Sequence, residues 1–137
     1  AAWKQVGDDA LEEDEIVQEV PNLVVTAGKG YVASRMKDTS ATAMSHMAIG
    51  SGNTAAAAGN TALESELART GLTSTTVSGA DIVYVDTFAA GTGTGAVKEA
   101  AILNASSGGT MLCRTVFSVV NKGASDAMTI TWTVTVS

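Results

Sequence analysis

"AMTITWTVTVS", residues 127–137, carries the clearest structural signal in the chain. Its period of two predicts a β-strand with one face in the core and a ladder of threonine hydroxyls on the other. Such a threonine face can meet water or pack against another subunit. The apolar set is Met128, Ile130, Trp132, Val134 and Val136, and the alternating threonines are Thr129, Thr131, Thr133 and Thr135.

Strand character extends upstream from this stretch. Short apolar runs rich in β-branched and aromatic residues predict further strands, and Gly/Ser-rich turns separate them. Five or six strands in a row predict an antiparallel β-sandwich or barrel-like domain. The runs are "MSHMAIG" (44–50), "LTSTTVS" (72–78), "DIVYVDTFA" (81–89), "AVKEAAILN" (96–104) and "TMLCRTVFSVV" (110–120).

Two segments have helical patterns. Residues 21–38 repeat apolar residues at roughly helical spacing, although two glycines weaken the pattern. Residues 60–70, "NTALESELART", combine a Thr61/Glu64 capping box with Leu63 and Leu67 four positions apart. The fold class predicted is therefore mainly β, with one or two short helices and an extended N-terminal arm. Residues 1–20 form the acidic arm, and residues 21–137 form the sandwich domain.

Charge is unevenly distributed along the 137 residues. The net charge is −6, and seven of the fourteen acids fall within the first nineteen residues, opposed only by Lys4. The remainder is neutral and has no basic stripe. This distribution argues against direct nucleic-acid binding, and no apolar run has the length of a membrane-spanning helix.

The acidic arm admits two interpretations. One is a solvated terminus, as charge-rich chain ends usually are. The other is an arm that docks on a neighbouring subunit through apolar anchors. The candidate anchors are Trp3, Leu11, Ile16 and Val17.

The glycine-containing stretch "MAIGSGNTAAAAGNTALESELAR", residues 47–69, raises the question of a phosphate-binding loop. The P-loop motif fails, because Asn60 stands after Gly59 where the phosphate-neutralising lysine is needed. The dinucleotide fingerprint fails as well, because Ala55 occupies its third glycine position. The loop is therefore interpreted as a connector.

No catalytic or metal-binding constellation emerges from the sequence. Glu64 and Glu66 are too close to share a helix face, and Asp81 and Asp86 fall on opposite faces of one strand. With one histidine, His46, and one cysteine in the chain, neither a metal cluster nor a disulfide is expected. We expect no enzymatic activity, no cofactor and no metal.

The order of these segments resembles the small β-rich domain of phage tail-collar and tail-fibre proteins. In that family a "GxG" turn precedes a "TAL…E…R" segment, and a glutamate-containing segment then leads to an "L-x-R" strand. The resemblance covers roughly residues 22–137. The matching positions are Gly50, Gly52, Thr61-Ala62-Leu63, Glu66, Arg69, Glu99 and Leu112 to Arg114.

The resemblance implies a non-enzymatic virion structural protein, assembled in the host cytoplasm. It favours a small neck- or tail-associated fibre or adaptor subunit whose partners are other phage virion proteins, and which itself forms a homo-oligomer, either a trimer or a ring. A capsid decoration protein is the alternative, and a carbohydrate-binding β-sandwich is a weaker one.

Three of the matching residues are also candidates for an ion pair. Arg69, Glu66 and Glu99 are charges in a charge-poor domain, and covered charges need partners. The alternative is that all three are exposed and contribute under about 1 kcal/mol.

Overall fold

Over the residues that the structure describes, the protein is a β-sandwich of two antiparallel five-stranded sheets with one helix. A computed structural model describes residues 2–8, 16–21, 23–37 and 42–136, with the backbone alone over 2–8 and 16–21. The elements are β1 (Ala2–Asp8), β2 (Ile16–Pro21), β3 (Leu23–Val24), α1 (Thr26–Lys37), β4 (His46–Gly50), β5 (Glu66–Gly71), β6 (Ser74–Ser78), β7 (Asp81–Phe88), β8 (Gly95–Leu103), β9 (Met111–Lys122) and β10 (Ala127–Thr135).

The strands of the two sheets alternate in groups along the chain. Sheet A has the order β2-β1-β10-β7-β6, and sheet B has the order β3-β9-β8-β4-β5. The strands do not close into a barrel, so the sandwich alternative of the sequence prediction is confirmed.

The alternating stretch is the central strand of sheet A. Met128, Ile130, Trp132 and Val134 are buried between the sheets, and Trp132 is fully covered. Val136 lies beyond the strand and is 60% exposed, so the predicted inner face ends at Val134. On sheet B, β8 and the first half of β9 are buried on both faces, which explains why their sequences are apolar runs without alternation.

The helix predicted within residues 21–38 is confirmed as α1. Gly28 is its buried position, and an ideal Cβ there would lie 2.1 Å from the Leu112 carbonyl oxygen. This glycine therefore costs helix propensity but lets α1 pack directly on β9.

The helix predicted for residues 60–70 is wrong. Residues 66–71 are strand β5, which pairs with β4, and Glu64 bonds to a loop rather than to a helix N-terminus. Leu63 is buried whereas Leu67 is 38% exposed, so the two leucines share no face.

The predicted acidic arm contributes two strands. β1 pairs with β10 at seven positions, from Ala2↔Thr133 to Asp8↔Ala127, and β2 pairs with β1. Over these positions the chain runs along sheet A rather than away from it. Of the candidate anchors, Trp3, Ile16 and Val17 belong to these strands, and Leu11 lies outside the described residues.

Candidate functional site

The strongest concentration of polar chemistry is a buried ion pair between sheet B and the loop after β4. Glu99 on β8 and Arg114 on β9 are joined by an Arg114 Nε–Glu99 Oε1 contact of 3.0 Å and an Nη2–Oε1 contact of 2.9 Å. Both side chains are almost completely covered, at 0% and 2% exposure. We call this group, with the loop it holds, the Glu99–Arg114 centre.

The Glu99 carboxylate is held mainly by backbone donors. It accepts hydrogen bonds from the amides of Gly52 at 2.9 Å, Glu64 at 2.9 Å and Ser65 at 2.8 Å. Together with Arg114, these donors satisfy a buried charge that would otherwise be very costly.

The Arg114 guanidinium faces the same loop. Its Nη1 donates to Asn60 Oδ1 at 3.0 Å, and its Nη2 donates to the Thr54 carbonyl at 3.0 Å. All three guanidinium nitrogens therefore have acceptors, and the loop between β4 and β5 is fixed at both ends and in its middle.

Gly50 and Gly52 are required by this close approach. An ideal Cβ on Gly50 would lie 2.5 Å from the Ser65 carbonyl oxygen. One on Gly52 would lie 2.4 Å from Glu64 Cβ and 2.5 Å from Glu99 Oε2. The glycine-containing loop does bind an anion, but that anion is the protein's own carboxylate.

Glu64 adds an outer layer to the loop. Its Oε1 accepts from the Asn53 amide at 2.9 Å and the Thr54 amide at 3.1 Å, and its Oε2 accepts from the Thr54 hydroxyl. The Thr54 hydroxyl hydrogen bond is the main cause that lowers the pKa of Glu64. The predicted capping residue is thus a loop-closing residue.

The predicted ion pair among Arg69, Glu66 and Glu99 is half correct. Arg69 Nη2 lies 2.8 Å from Glu66 Oε1, and its Nη1 donates to the carbonyls of Ala105 and Gly108. This pair fastens β5 to the turn between β8 and β9. Glu99 belongs to Arg114 instead.

The Glu99–Arg114 centre is arranged to hold structure. A shallow cleft of about 450 Å³ lies beside it, lined by Leu23, Ala55, Ala56 and Arg114 among others. Because the guanidinium and carboxylate already hold one another and the loop, the cleft presents mainly apolar side chains and backbone. The motif residues Gly50, Gly52, Glu99 and Arg114 meet here, and Leu63 is buried in a neighbouring apolar cluster.

Asp86 is a second buried carboxylate, with different surroundings. It is 1% exposed on the inner face of β7, where it accepts hydrogen bonds from the Thr70 hydroxyl and, at 3.5 Å, the Thr73 hydroxyl. No salt bridge is found for it among the described residues. Burial raises the pKa of Asp86 to about 6, against the opposing effects of the hydroxyl hydrogen bonds and of a hydrogen bond from the Thr87 amide.

Lys122 is a buried cation that no sequence pattern singled out. Its Nζ donates to the carbonyls of Ala89 at 2.8 Å and Asp126 at 2.7 Å, and the residue is 3% exposed. Burial lowers its pKa. The side chain ties the end of β9 to the turns after β7 and before β10.

The remaining reactive side chains are separate from one another. His46 Nδ1 lies 2.7 Å from the Ser45 hydroxyl at the start of β4. Cys113 is fully buried, which raises its pKa. Within the described residues no three His, Cys, Asp or Glu side chains are grouped to hold a metal ion. No helix in the described part of the chain is long and apolar enough to cross a membrane.

An apolar groove opens between α1 and the β6 end of sheet A. Its volume is about 390 Å³. Its lining is mostly apolar, with Tyr31, Met36, Val77, Ile82 and Val136, and it includes one charged residue, Arg35. Three of these are strongly exposed: Met36 at 83%, Val77 at 70% and Val136 at 60%. Exposed apolar side chains gathered in one place mark a contact surface more often than isolated ones do.

No family model, curated protein or solved structure matches this chain.

Proposed function

We propose that the chain is a non-enzymatic virion structural protein of a bacteriophage, acting through protein–protein contacts as a neck- or tail-associated fibre or adaptor subunit. The proposal starts from the ordered motifs of the tail-collar and tail-fibre resemblance. Its partners are other virion proteins and further copies of itself, in a trimer or ring.

The observation that carries the proposal is the convergence of the motif residues. Gly50, Gly52, Glu99 and Arg114 are far apart in sequence, yet they form one buried centre. Residues matched by order alone would be scattered over the fold. Their convergence supports the motif as a structural unit that fixes one loop against sheet B.

The distribution of surface chemistry supports a building block over a catalyst. The polar groups of the Glu99–Arg114 centre are turned inward on one another, whereas the exposed features include an apolar groove and the uncharged strand β6. Of the aromatic side chains, Tyr84, Phe88, Phe117 and Trp132 are buried in the core. They are therefore not available on the surface to stack against a sugar, which argues against the carbohydrate-binding alternative.

The test is a density map of intact particles purified from a phage that encodes this chain, with its copies located and counted. We expect a ring or a few spikes at the neck or tail. Hundreds of copies over the shell would instead support the capsid decoration alternative. Absence of the chain from purified particles would contradict both.

The candidate arm is tested in the same particles with Leu11→Ser. This position lies between β1 and β2, so the substitution leaves the described strand pairing in place. We expect fewer copies per particle if the arm binds a neighbour. Unchanged copy number would contradict a docking role for Leu11.

A further inference from the structure

The four outer edges of the two sheets, as the described strands form them, differ in how they are protected. β2 carries Glu19 and ends in Pro21, which has no amide to donate. β3 has only two residues. β5 carries the Glu66–Arg69 pair. Charges, proline and short length are the devices by which natural edges avoid pairing with other strands.

β6 has none of these devices. Its sequence, Ser74–Ser78 "STTVS", contains no charge and no proline, and all five residues are exposed. It pairs with β7 on one side in regular register, and no described strand pairs with its other side. A regular, neutral, exposed edge is a template for a further strand.

The two faces of β6 differ in chemistry. Thr75 and Val77 line the apolar groove, opposite Tyr84 and Ile82 in the register with β7. The alternating residues Ser74, Thr76 and Ser78 therefore project from the outer face of sheet A. An added strand would cover the open side of the groove with its inward-facing residues.

The sequence of β6 fits its own copy. If two β6 strands pair antiparallel about a twofold axis at Thr76, serine lies opposite serine at both ends and threonine lies opposite threonine at the centre. On the groove side, Val77 lies opposite Thr75 of the second copy, a residue of similar size. No charge meets a like charge anywhere along the pair, and threonine pairs directly opposite one another are favourable in sheets.

We propose that this chain forms a twofold dimer by antiparallel pairing of β6 with β6 of a second copy. The pairing joins the two A sheets into one continuous ten-stranded sheet and makes the two apolar grooves adjacent, so that the exposed Val77 side chains of both copies are covered. The contact is isologous, as a twofold axis requires. This inference goes beyond the virion role, because the twofold contact at β6 is separate from the contacts that would build a trimer or ring.

The experiment measures the mass of the protein in solution by analytical ultracentrifugation. A concentration of about 100 µM is used because an interface made by one pair of five-residue strands and the adjoining grooves is small and has modest affinity. We expect a dimer for the unaltered chain and monomers for both Thr76→Lys and Thr76→Glu, since each puts like charges opposite one another at the axis. An equimolar mixture of the two variants is expected to restore the dimer. The lysine of one variant faces the glutamate of the other only if position 76 lies on the axis.

Two controls keep the result interpretable. Thr76→Val removes the hydroxyl without adding charge and should retain the dimer. Thr87→Lys adds the same charge on the exposed outer face of β7, away from β6, and should also retain it. Circular dichroism and thermal melts establish that the charged variants are folded.

A monomeric unaltered chain would overturn the proposal, and so would a dimer that Thr76→Lys leaves intact. If both charged variants are monomers but their mixture stays monomeric, the twofold register is wrong and the proposal fails. Each of these results would leave the virion proposal standing, because that proposal is tested by location and copy number in the particle.

Discussion

Glu99 and Asp86 are two fully covered carboxylates in one small sandwich, and the protein treats them in opposite ways. Glu99 has an arginine and three backbone amides as donors, whereas Asp86 has two threonine hydroxyls and one backbone amide, that of Thr87. Only Glu99 has a full cation beside it among the described residues, and it accepts hydrogen bonds from three amides rather than one.

The two sets of donors indicate what each carboxylate does. Glu99 organises a loop that has no regular secondary structure, because its oxygens take the place of strand partners for the amides of Gly52, Glu64 and Ser65. Asp86 instead connects β7 of sheet A with Thr70 on β5 of sheet B. The first is a charged anchor, and the second is a polar link between sheets that is better tolerated when protonated.

Removing the cation beside Glu99 should have the largest effect. Arg114→Met leaves the Glu99 charge buried without its partner, which should lower the free energy of unfolding by about 3–5 kcal/mol. Urea unfolding monitored by tryptophan fluorescence measures it. The matched control is Arg69→Met. The Arg69 side chain is 8% exposed, but its Glu66 partner is 35% exposed, so the carboxylate left behind stays in contact with water and the loss should be smaller, about 1–2 kcal/mol. Equal losses for the two variants would contradict the special position of the Glu99–Arg114 centre.

Crowding the loop should have the next largest effect. Gly52→Ala places a methyl group against Glu64 Cβ and the fixed Glu99 carboxylate, and overpacking of this kind should cost about 1–3 kcal/mol. Gly59→Ala, in the same loop, meets nothing within 4 Å, so it should change stability by less than about 0.5 kcal/mol. Thermal unfolding of the two variants gives the difference directly. A neutral Gly52→Ala would mean that the loop is not held tightly by Glu99.

Asp86 should supply the smallest effect and a pH dependence of definite sign. Its folded-state pKa of about 6 lies above the ordinary value of 3.8, so the folded state holds the proton more tightly. This contribution to stability is therefore present at low pH and is lost as the pH rises through about 6. Asp86→Asn should remove that loss and raise stability at pH 7 by about 1–2 kcal/mol, allowing for solvent screening.

The measurement for Asp86 is urea unfolding at about pH 4 and pH 7. Asp81→Asn serves as the control, since Asp81 is on the same strand but only partly buried, with the Thr135 hydroxyl as its partner. If Asp86→Asn and the unaltered protein lose stability equally between the two pH values, another group is responsible for the dependence.

The strands were predictable from sequence because their patterns are local. The alternation of apolar and threonine residues in β10 and the β-branched composition of β7 each indicate a strand, and both segments are strands as predicted. The helix prediction for residues 60–70 was wrong because the pattern is local, whereas the structure of this segment is decided by contacts with residues distant in sequence. The amides of Glu64 and Ser65 bind the carboxylate of Glu99, which is distant in sequence, and β4 offers an edge to residues 66–71.

The Glu99–Arg114 centre could be predicted only in part from the sequence. A lone acid in "AVKEAAILN" and a lone base in "TMLCRTVFSVV" are a usable signal, since charges inside apolar runs need partners. Their pairing depends on strand register, and the register between β8 and β9 shifts twice. The alternation of apolar and polar residues does not predict where such register shifts occur. From the sequence alone, Arg69 is therefore as good a candidate partner for Glu99 as Arg114.

The position of β10 in sheet A bears on the order in which the molecule assembles. β10 is the last strand along the chain, yet it lies between the β1–β2 hairpin and the β6–β7 hairpin, and Trp3 pairs with Trp132 across roughly 130 positions of chain. During synthesis from the N-terminus, β3, β4, β5, β8 and β9 are all available before β10 exists. Sheet B therefore needs no residue of β10, whereas the two halves of sheet A have no shared neighbour until β10 pairs with both.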